Sequence, residues 1–331
     1  MKPTLLRWGL LGTAHINRAL IPPLRASKRN VLTAVASRSV GKAQSYAREH
    51  KIHRALGSYD EMLDDAEIDV IYISLPNHLH AKWAIRSVEA GKHVLCEKPL
   101  ALSTIEVDAL IQASQASGRI ITEAFMYRHH PQTLKVQEMV AVGKAGKVRL
   151  IKGAFSYNLT RHQDIRLDPA MGGGSLWDVG CYPLSFARTI LQAEPEEVFA
   201  WQTTAPSGID DLLVAQARFP GGIFTQFDSG FRLPHRTYIE IIGDAGSIYI
   251  PHPFTPGKAE NIRYNRADGF HVSLRMPGGD LYRGEVEDIA DAVLLGKTPR
   301  ISLADSKANI AVICALYESA LSHKPVLLSS L

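Results

Sequence analysis

Apolar residues in the first third of the chain come in short runs separated by amphipathic stretches, the rhythm of strand, helix, strand in a parallel sheet. Strands are predicted over residues 5–11, 31–36, 69–74, 93–96 and 120–124. Helices are predicted over 14–26, 40–50, 78–90 and 104–117, the last opened by a Ser103-x-x-Glu106 capping box and closed by Gly118. Strands joined by helices need right-handed crossovers, so a doubly wound parallel sheet follows. Beyond Met126 the rhythm changes. A helix over 131–142, a strand over 147–157, a loop through Gly172-Gly173-Gly174 and a helix over 179–191 precede strand-like runs at 197–204, 212–219, 223–230, 237–243 and 246–250. Pro-Gly-Gly and Gly-Asp-Ala-Gly turns link these runs, which predicts a large, mostly antiparallel open sheet. Helices over 284–295 and 304–323 close the chain. The fold class is therefore an α/β domain over residues 1–125 and an α+β domain over 126–331. The stretches 159–172 and 251–280 carry no readable period and are expected to be loops lining a substrate pocket.

Composition agrees with two ordinary globular domains: 331 residues, 46% hydrophobic and 21% charged, at about 150 residues per domain. The net charge of +4 is spread along the chain without a basic block, so no nucleic-acid partner is expected. No run approaches the roughly 20 apolar residues of a membrane span, and the run at 5–11 is too short for a signal peptide, so a cytoplasmic location is expected. Cys96, Cys181 and Cys314 are odd in number and far apart, which argues for reduced thiols rather than a disulfide framework or zinc site. His129, His130, His162 and His235 lack metal-ligand spacing, so no metal is expected.

The first predicted strand runs into Gly12-Thr13-Ala14-His15-Ile16-Asn17, where a dinucleotide-binding fold places its glycine-rich turn. Only the first glycine of the usual three is present. Ala14 still lets the backbone approach a pyrophosphate at a helix N-terminus, whereas Asn17 is expected to loosen the helix against the strand. After the second strand stands Ser37-Arg38-Ser39 in place of the acid that binds a ribose diol. Arg38, with Ser37 and Lys42, suits a 2′-phosphate, favouring NADP over NAD; the alternative for Arg38 is a solvated strand end. Leu75, Pro76, Asn77, His80 and Glu97 fall at the same carboxyl edge and are assigned to the cofactor or to its turns.

Five motifs in order carry a resemblance that spans nearly the whole chain: the Gly12 turn, Pro76-Asn77-x-x-His80, Glu97-Lys98-Pro99, Met126-Tyr127-Arg128, and Gly172-Gly173-Gly174-Ser175-Leu176-Trp177-Asp178-Val179-Gly180-Cys181-Tyr182. The chain resembles the Gfo/Idh/MocA oxidoreductases, in the branch of glucose-fructose oxidoreductase, D-xylose 1-dehydrogenase and dimeric dihydrodiol dehydrogenase. The resemblance implies that Lys98 and Tyr182 are a catalytic pair and that the bond before Pro99 is cis. It leaves open which of the two is the immediate proton acceptor. A cation at a strand end polarises a substrate oxygen, and a tyrosine exchanges its proton. Asp178, four residues before Tyr182, binds a sugar hydroxyl, orients the tyrosine or caps the helix. Arg128 reaches the substrate or forms a structural ion pair, and Tyr127 is placed with it at the substrate. The three glycines are read as flexible backbone at the mouth of the site.

The implied activity is NADP-dependent oxidation of an aldose or polyol. Alternatives are reduction of a keto-sugar or other carbonyl compound, oxidation of a trans-dihydrodiol, and a cofactor-binding regulator without catalysis. The open second sheet has too few helices to cover its outer face, so a homodimer or dimer of dimers through it is expected.

Overall fold

The structure, a computed structural model, describes residues 5–161 and 163–328. The apolar runs of the N-terminal region become β1 (Leu6–Leu11), β2 (Asn30–Ala36), β3 (Arg54–Leu56), β4 (Val70–Ile73), β5 (His93–Glu97) and β6 (Ile121–Ala124). Helices α1 (Asn17–Ala26), α2 (Val40–Glu49), α3 (Tyr59–Asp64), α4 (His80–Glu89) and α5 (Thr104–Ser117) connect them in turn. The strands form one sheet in the order β3-β2-β1-β4-β5-β6, every pair parallel. Helices cover both faces of such a sheet, so β4 is buried at every position and reads Val-Ile-Tyr-Ile without alternation. Chain direction across the sheet reverses between β1 and β4, which opens the crevice where doubly wound folds bind ligands.

Sequence periodicity missed β3 and α3. β3 is three half-buried residues on the sheet edge, and six residues of α3 are too few to show a helical period. The cap of α3 is nonetheless legible: Ser58 Oγ accepts from the Glu61 amide, the same Ser-x-x-Glu box that opens α5 at Ser103.

In the second region, the His130 side chain caps α6 (Pro131–Ala141), accepting the Gln132 amide. There follow β7 (Val148–Asn158), α7 (Cys181–Leu191), β8 (Glu197–Thr204), β9 (Asp210–Phe219), β10 (Ile223–Gly230), β11 (Arg232–Gly243) and β12 (Gly246–Ile250). β13 (Ala259–Arg266) and β14 (His271–Pro277) form an antiparallel hairpin inside 251–280, where a loop was expected. β13 buries only Ile262 and Tyr264, too few apolar positions for its alternation to stand out from a polar sequence. With β15 (Val326–Leu327), which follows α8 (Arg283–Leu295) and α9 (Leu303–Ser322), they complete a nine-stranded sheet ordered β14-β13-β12-β11-β7-β10-β9-β8-β15. Its pairs are antiparallel except the central β7 and β10.

Two compact units result. The chain through Met126 with Tyr282–Lys307 makes the first, and Tyr127–Leu281 with the chain from Ala308 the second. α8 belongs by its packing with the first unit, although it lies in the stretch assigned by sequence to the second domain. Its Val286, Ile289 and Ala290 are buried in one cluster with Leu6, Trp8, Leu10, Tyr72 and Leu95. Burying three such side chains contributes several kcal/mol, at about 25 cal/mol per Å² of apolar surface.

Candidate active site

In the first unit, the turn after β1 is built around Gly12, whose φ of +109° suits glycine. A Cβ there would lie 3.0 Å from Leu75 Cδ2. Asn17 does not loosen this turn, as the sequence suggested; it is fully buried and its Nδ2 donates to the Gly12 carbonyl at 2.9 Å. The side chain thereby holds the turn at the position a third glycine would take. Thr13, Ala14 and Ile16 are half-buried, His15 is exposed, and no side chain caps Ile16 at the start of α1. The amides of Asn17, Arg18 and Ala19 already donate to the carbonyls of Ala14, His15 and Ile16, so the amides that remain for a ligand are those of the turn before the helix, residues 13–16. Beside Gly12, the buried Asn17 Oδ1 and Ser74 Oγ have no hydrogen-bond partner. The Ser74 hydroxyl, which can donate, and the amides of the Gly12 turn fit the pyrophosphate end of a dinucleotide, whereas Asn17 Oδ1 is an acceptor and does not bind an anion.

At the end of β2, Ser37 is buried while Arg38 and Lys42 are exposed. Arg38 lies beside the Tyr59 hydroxyl, and Ser39 caps α2. Leu75 is buried, and Pro76 and Asn77 are half-buried at the turn into α4. His80, assigned above to the cofactor or to its turns, is buried with both ring nitrogens engaged: Nδ1 is 2.7 Å from the Pro99 carbonyl and Nε2 is 2.7 Å from the Leu75 carbonyl. No ring nitrogen remains for a ligand, so its role is to tie together two strand-end turns. Burial pulls its pKa below the ordinary histidine value.

Lys98 follows β5 directly, half-buried, with a cis bond to Pro99 as the resemblance implied. Glu97 accepts from the hydroxyl of Tyr72, a phenol that burial, and secondarily the Glu97 charge, push far above its usual pKa. The Leu100 amide donates to Glu123 Oε1 at 2.9 Å, and Ser306 donates to the other carboxylate oxygen at 2.6 Å. The Lys98 turn is thus braced by His80 on one side and Glu123 on the other.

In the second unit, the helix bearing Tyr182 starts earlier than its apolar period indicated. Leu176–Gly180 form a π-helical turn that runs into α7. Pro183 has no amide to give Val179, which breaks the α pattern at this junction. A Cβ on Gly180 would meet Leu176 Cδ1 and Ser229 Oγ, both at 2.8 Å, so any larger residue requires these buried side chains to shift. Tyr182 is 6% exposed and walled by the rings of Phe155, Tyr127 and Phe254, with centroids 5.4 to 5.8 Å away. Tyr127 is fully buried, donates to Ser185 Oγ at 2.9 Å and places its ring against that of Tyr182. Arg128 is half-buried on the short turn before α6.

Asp178 accepts at Oδ2 from the Tyr157 hydroxyl at 2.7 Å and from Arg166 Nε at 2.9 Å. Burial first, then the Asp178 charge, drive the Tyr157 pKa up, and Asp178 is the foremost cause of the raised Arg166 pKa. Sequence reasoning overlooked both partners. The available signal was Asp164-Ile165-Arg166-Leu167-Asp168-Pro169, two capping aspartates and a proline that set two short helical turns.

Gly173 and Gly174 pack tightly instead of flexing. A Cβ on Gly173 would lie 2.5 Å from the Arg166 carbonyl oxygen, and one on Gly174 would lie 2.3 Å from Asp210 Oδ1. Asp210, also overlooked, is a buried acid whose pKa burial raises. It accepts from Ser175 Oγ, the Leu176 amide and the Tyr317 hydroxyl at 2.7 to 2.8 Å, anchoring the start of the π turn.

Among the described residues no cluster of three or more His, Cys, Asp or Glu is placed to hold a metal, and no helix is long and apolar enough to cross a membrane. His162 lies outside the described residues.

Comparison with known proteins adds independent findings. The oxidoreductase family with an NAD-binding Rossmann fold matches residues 6–125, and the GFO/IDH/MocA C-terminal domain matches 133–249. The chain is 38% identical over 320 residues to D-xylose 1-dehydrogenase (NADP(+)) 2 of Haloferax volcanii, covering 95% of this chain and 97% of that one. The aldose-aldose oxidoreductase of Caulobacter crescentus, solved with glycerol, superposes with a TM-score of 0.90 at 26% identity, over 98% of this chain and all of the other. KijD10, a 3-ketoreductase from Actinomadura kijaniata solved with NADP and TDP-benzene, gives 0.90 at 29% identity over 95% and 98%. KijD10 has also been solved with one lysine replaced and with one tyrosine replaced by phenylalanine. With both halves matched, the chain belongs to the GFO/IDH/MocA family of oxidoreductases.

Proposed function

We propose that this protein is an NADP-dependent oxidoreductase that oxidises an aldose or related polyol, with Lys98 and Tyr182 as its proton-transfer pair. One observation carries the reading: the lysine and tyrosine altered in the solved forms of KijD10 have the same separation along their chain as Lys98 and Tyr182 here. When bound, the nicotinamide supplies the hydride acceptor, or the donor in the reverse direction.

Tyr182 as the phenolate takes the hydroxyl proton during oxidation and as the phenol returns it during reduction. Its wall of aromatic rings keeps water from competing for that proton. The Lys98 ammonium stabilises negative charge on the reacting oxygen. Asp178, acceptor-only when ionised, takes a hydrogen bond from a neighbouring sugar hydroxyl, and Arg128 is assigned to the same substrate. Arg38, with Ser37 and Lys42, meets the 2′-phosphate, and residues 12–16 meet the pyrophosphate.

Reduced-nicotinamide absorbance, followed with NADP and NAD against D-xylose, other aldoses, inositols and diols, tests the reading. Turnover of an aldose, preferring NADP and lost in Lys98→Met and Tyr182→Phe, is the expected result. KijD10 favours a second reading, reduction of a keto-sugar by NADPH, which gains if aldoses are inert while a keto-sugar consumes NADPH. NADPH binding with no turnover in either direction would leave the regulator.

The outer face of the second sheet is assigned to a homodimer contact. Trp201 and Phe224, each 52% exposed, and Val214, 43% exposed, stand on adjacent strands there. Sedimentation should show a dimer that Trp201→Glu disrupts, and a wild-type monomer at micromolar concentration would sink this assignment.

A further inference from the structure

Arg166 is held at three points. Its amide donates to Asp164 Oδ1 at 3.1 Å, its carbonyl accepts from the Gly174 amide at 3.0 Å, and its guanidinium bridges Asp178 Oδ2 and Asp164 Oδ1 at 2.9 and 3.1 Å. The Asp178 amide in turn donates to the Gly174 carbonyl at 3.1 Å, closing a ring between the 164–174 loop and the π turn. Asp164, only 7% exposed, also pairs with Arg161. The ring fits because Gly173 has no Cβ to strike the Arg166 carbonyl. Tyr157 delivers its hydroxyl from β7 to the same oxygen of Asp178.

A carboxylate bonded this way is fixed in direction as well as charge, since two donors converge on one of its oxygens. The planar guanidinium reaches both Asp164 and Asp178 from a single orientation, a geometry that a lysine ammonium cannot reproduce.

We propose that Arg166 is a positioning residue for sugar recognition: together with Tyr157 it sets the direction of the Asp178 carboxylate that receives a substrate hydroxyl. The inference rests on the reading of Asp178 as a substrate residue. Arg166 itself touches no reacting atom. Its effect passes through Asp178, so removing it weakens sugar binding more than it slows chemistry.

The test uses D-xylose and NADP as probe with full-length Arg166→Met, Arg166→Lys and Tyr157→Phe, in wild-type and Asp178→Asn backgrounds. Arg166→Met should raise KM for xylose about tenfold or more while kcat falls less than about threefold, with Arg166→Lys recovering only part of the loss. In the Asp178→Asn background the same change should matter by less than about twofold, because the intermediary is already gone. Effects that multiply across the two backgrounds, or a loss confined to kcat, would overturn the proposal. A crystal structure of unliganded Arg166→Met gives a readout independent of turnover. The Asp178 carboxylate should leave its wild-type direction, and its retention there would refute the positioning role even if the protein proved inert toward xylose. That inertness would count against the proposed aldose activity alone. Tyr157→Phe, which removes a single hydroxyl, serves if the arginine variants fail to fold: it should raise KM about threefold in the wild-type background and not at all with Asp178→Asn.

Discussion

The imidazole of His80 lies with Nδ1 2.7 Å from the carbonyl oxygen of Pro99, so the turn that carries Lys98 is anchored to the first residue of α4. The other ring nitrogen reaches back to the Leu75 carbonyl. One buried side chain therefore joins the ends of two neighbouring strands, β4 and β5.

The neutral ring has a single N–H, so replacing His80 with leucine removes the donor from one of the two buried carbonyls, at about 1 to 3 kcal/mol. His80→Leu should lower the unfolding free energy of the cofactor-free protein by about 2 kcal/mol in urea. An unchanged denaturation midpoint would mean that the histidine is dispensable to the turn and acts on a ligand instead.

Acid stability follows from the buried histidines. His93 accepts the Ile120 amide through Nδ1, and burial, reinforced by Arg119, lowers its pKa to about 4. His80 and His130 are also depressed by burial. The unfolded chain takes up protons near pH 6.5 while the folded chain resists them, so the unfolded state binds more protons between these values. Stability contributed by the neutral rings is complete above about pH 6.5 and is lost as pH falls toward 4, His93 accounting for about 3 kcal/mol. Chemical denaturation across this range should show the decline, and His93→Gln should flatten it. A flat wild-type profile would contradict the depressed pKa values.

Cofactor choice depends on Arg38. A charge-assisted bond contributes about 1.5 to 3 kcal/mol, so Arg38→Ala should weaken NADPH binding by tenfold or more and leave NADH within about twofold. Fluorescence titration with both cofactors decides it. Equal losses for the two would remove Arg38 from the 2′-phosphate.

Two glycines separate packing from backbone strain. Gly118 has φ +65° with nothing near its missing Cβ, so Gly118→Ala should cost about 1 kcal/mol from the left-handed conformation alone. Gly173→Ala drives a methyl to 2.5 Å from a main-chain oxygen and should cost at least about 2 kcal/mol, with reduced sugar turnover. Calorimetric melting compares them, and a tolerant Gly173 would restore the reading of this segment as flexible.

Much of this architecture is written in local pattern. Unbroken apolar runs mark β4 and β5 because both faces of a parallel sheet are covered, and alternation marks β9 and β10 because one face is not. Ser103 with Glu106 and the glycines at 91 and 118 punctuate the helices for reasons confined to a few neighbouring residues. The order of the five motifs likewise sufficed to indicate the family. What required the tertiary structure was the partner of each polar group. Whether His80 meets a ligand or two carbonyls, whether Asn17 loosens a turn or ties it, and whether Gly173 bends or packs depend on atoms from other segments. The same holds for α8, whose amphipathic pattern declares a buried face without naming the sheet that buries it. Hydrophobic period is a property of neighbouring residues, but a hydrogen bond between Arg166 and Asp178 exists only after the intervening chain has folded back on itself, so the sequence displays both residues and not the bond.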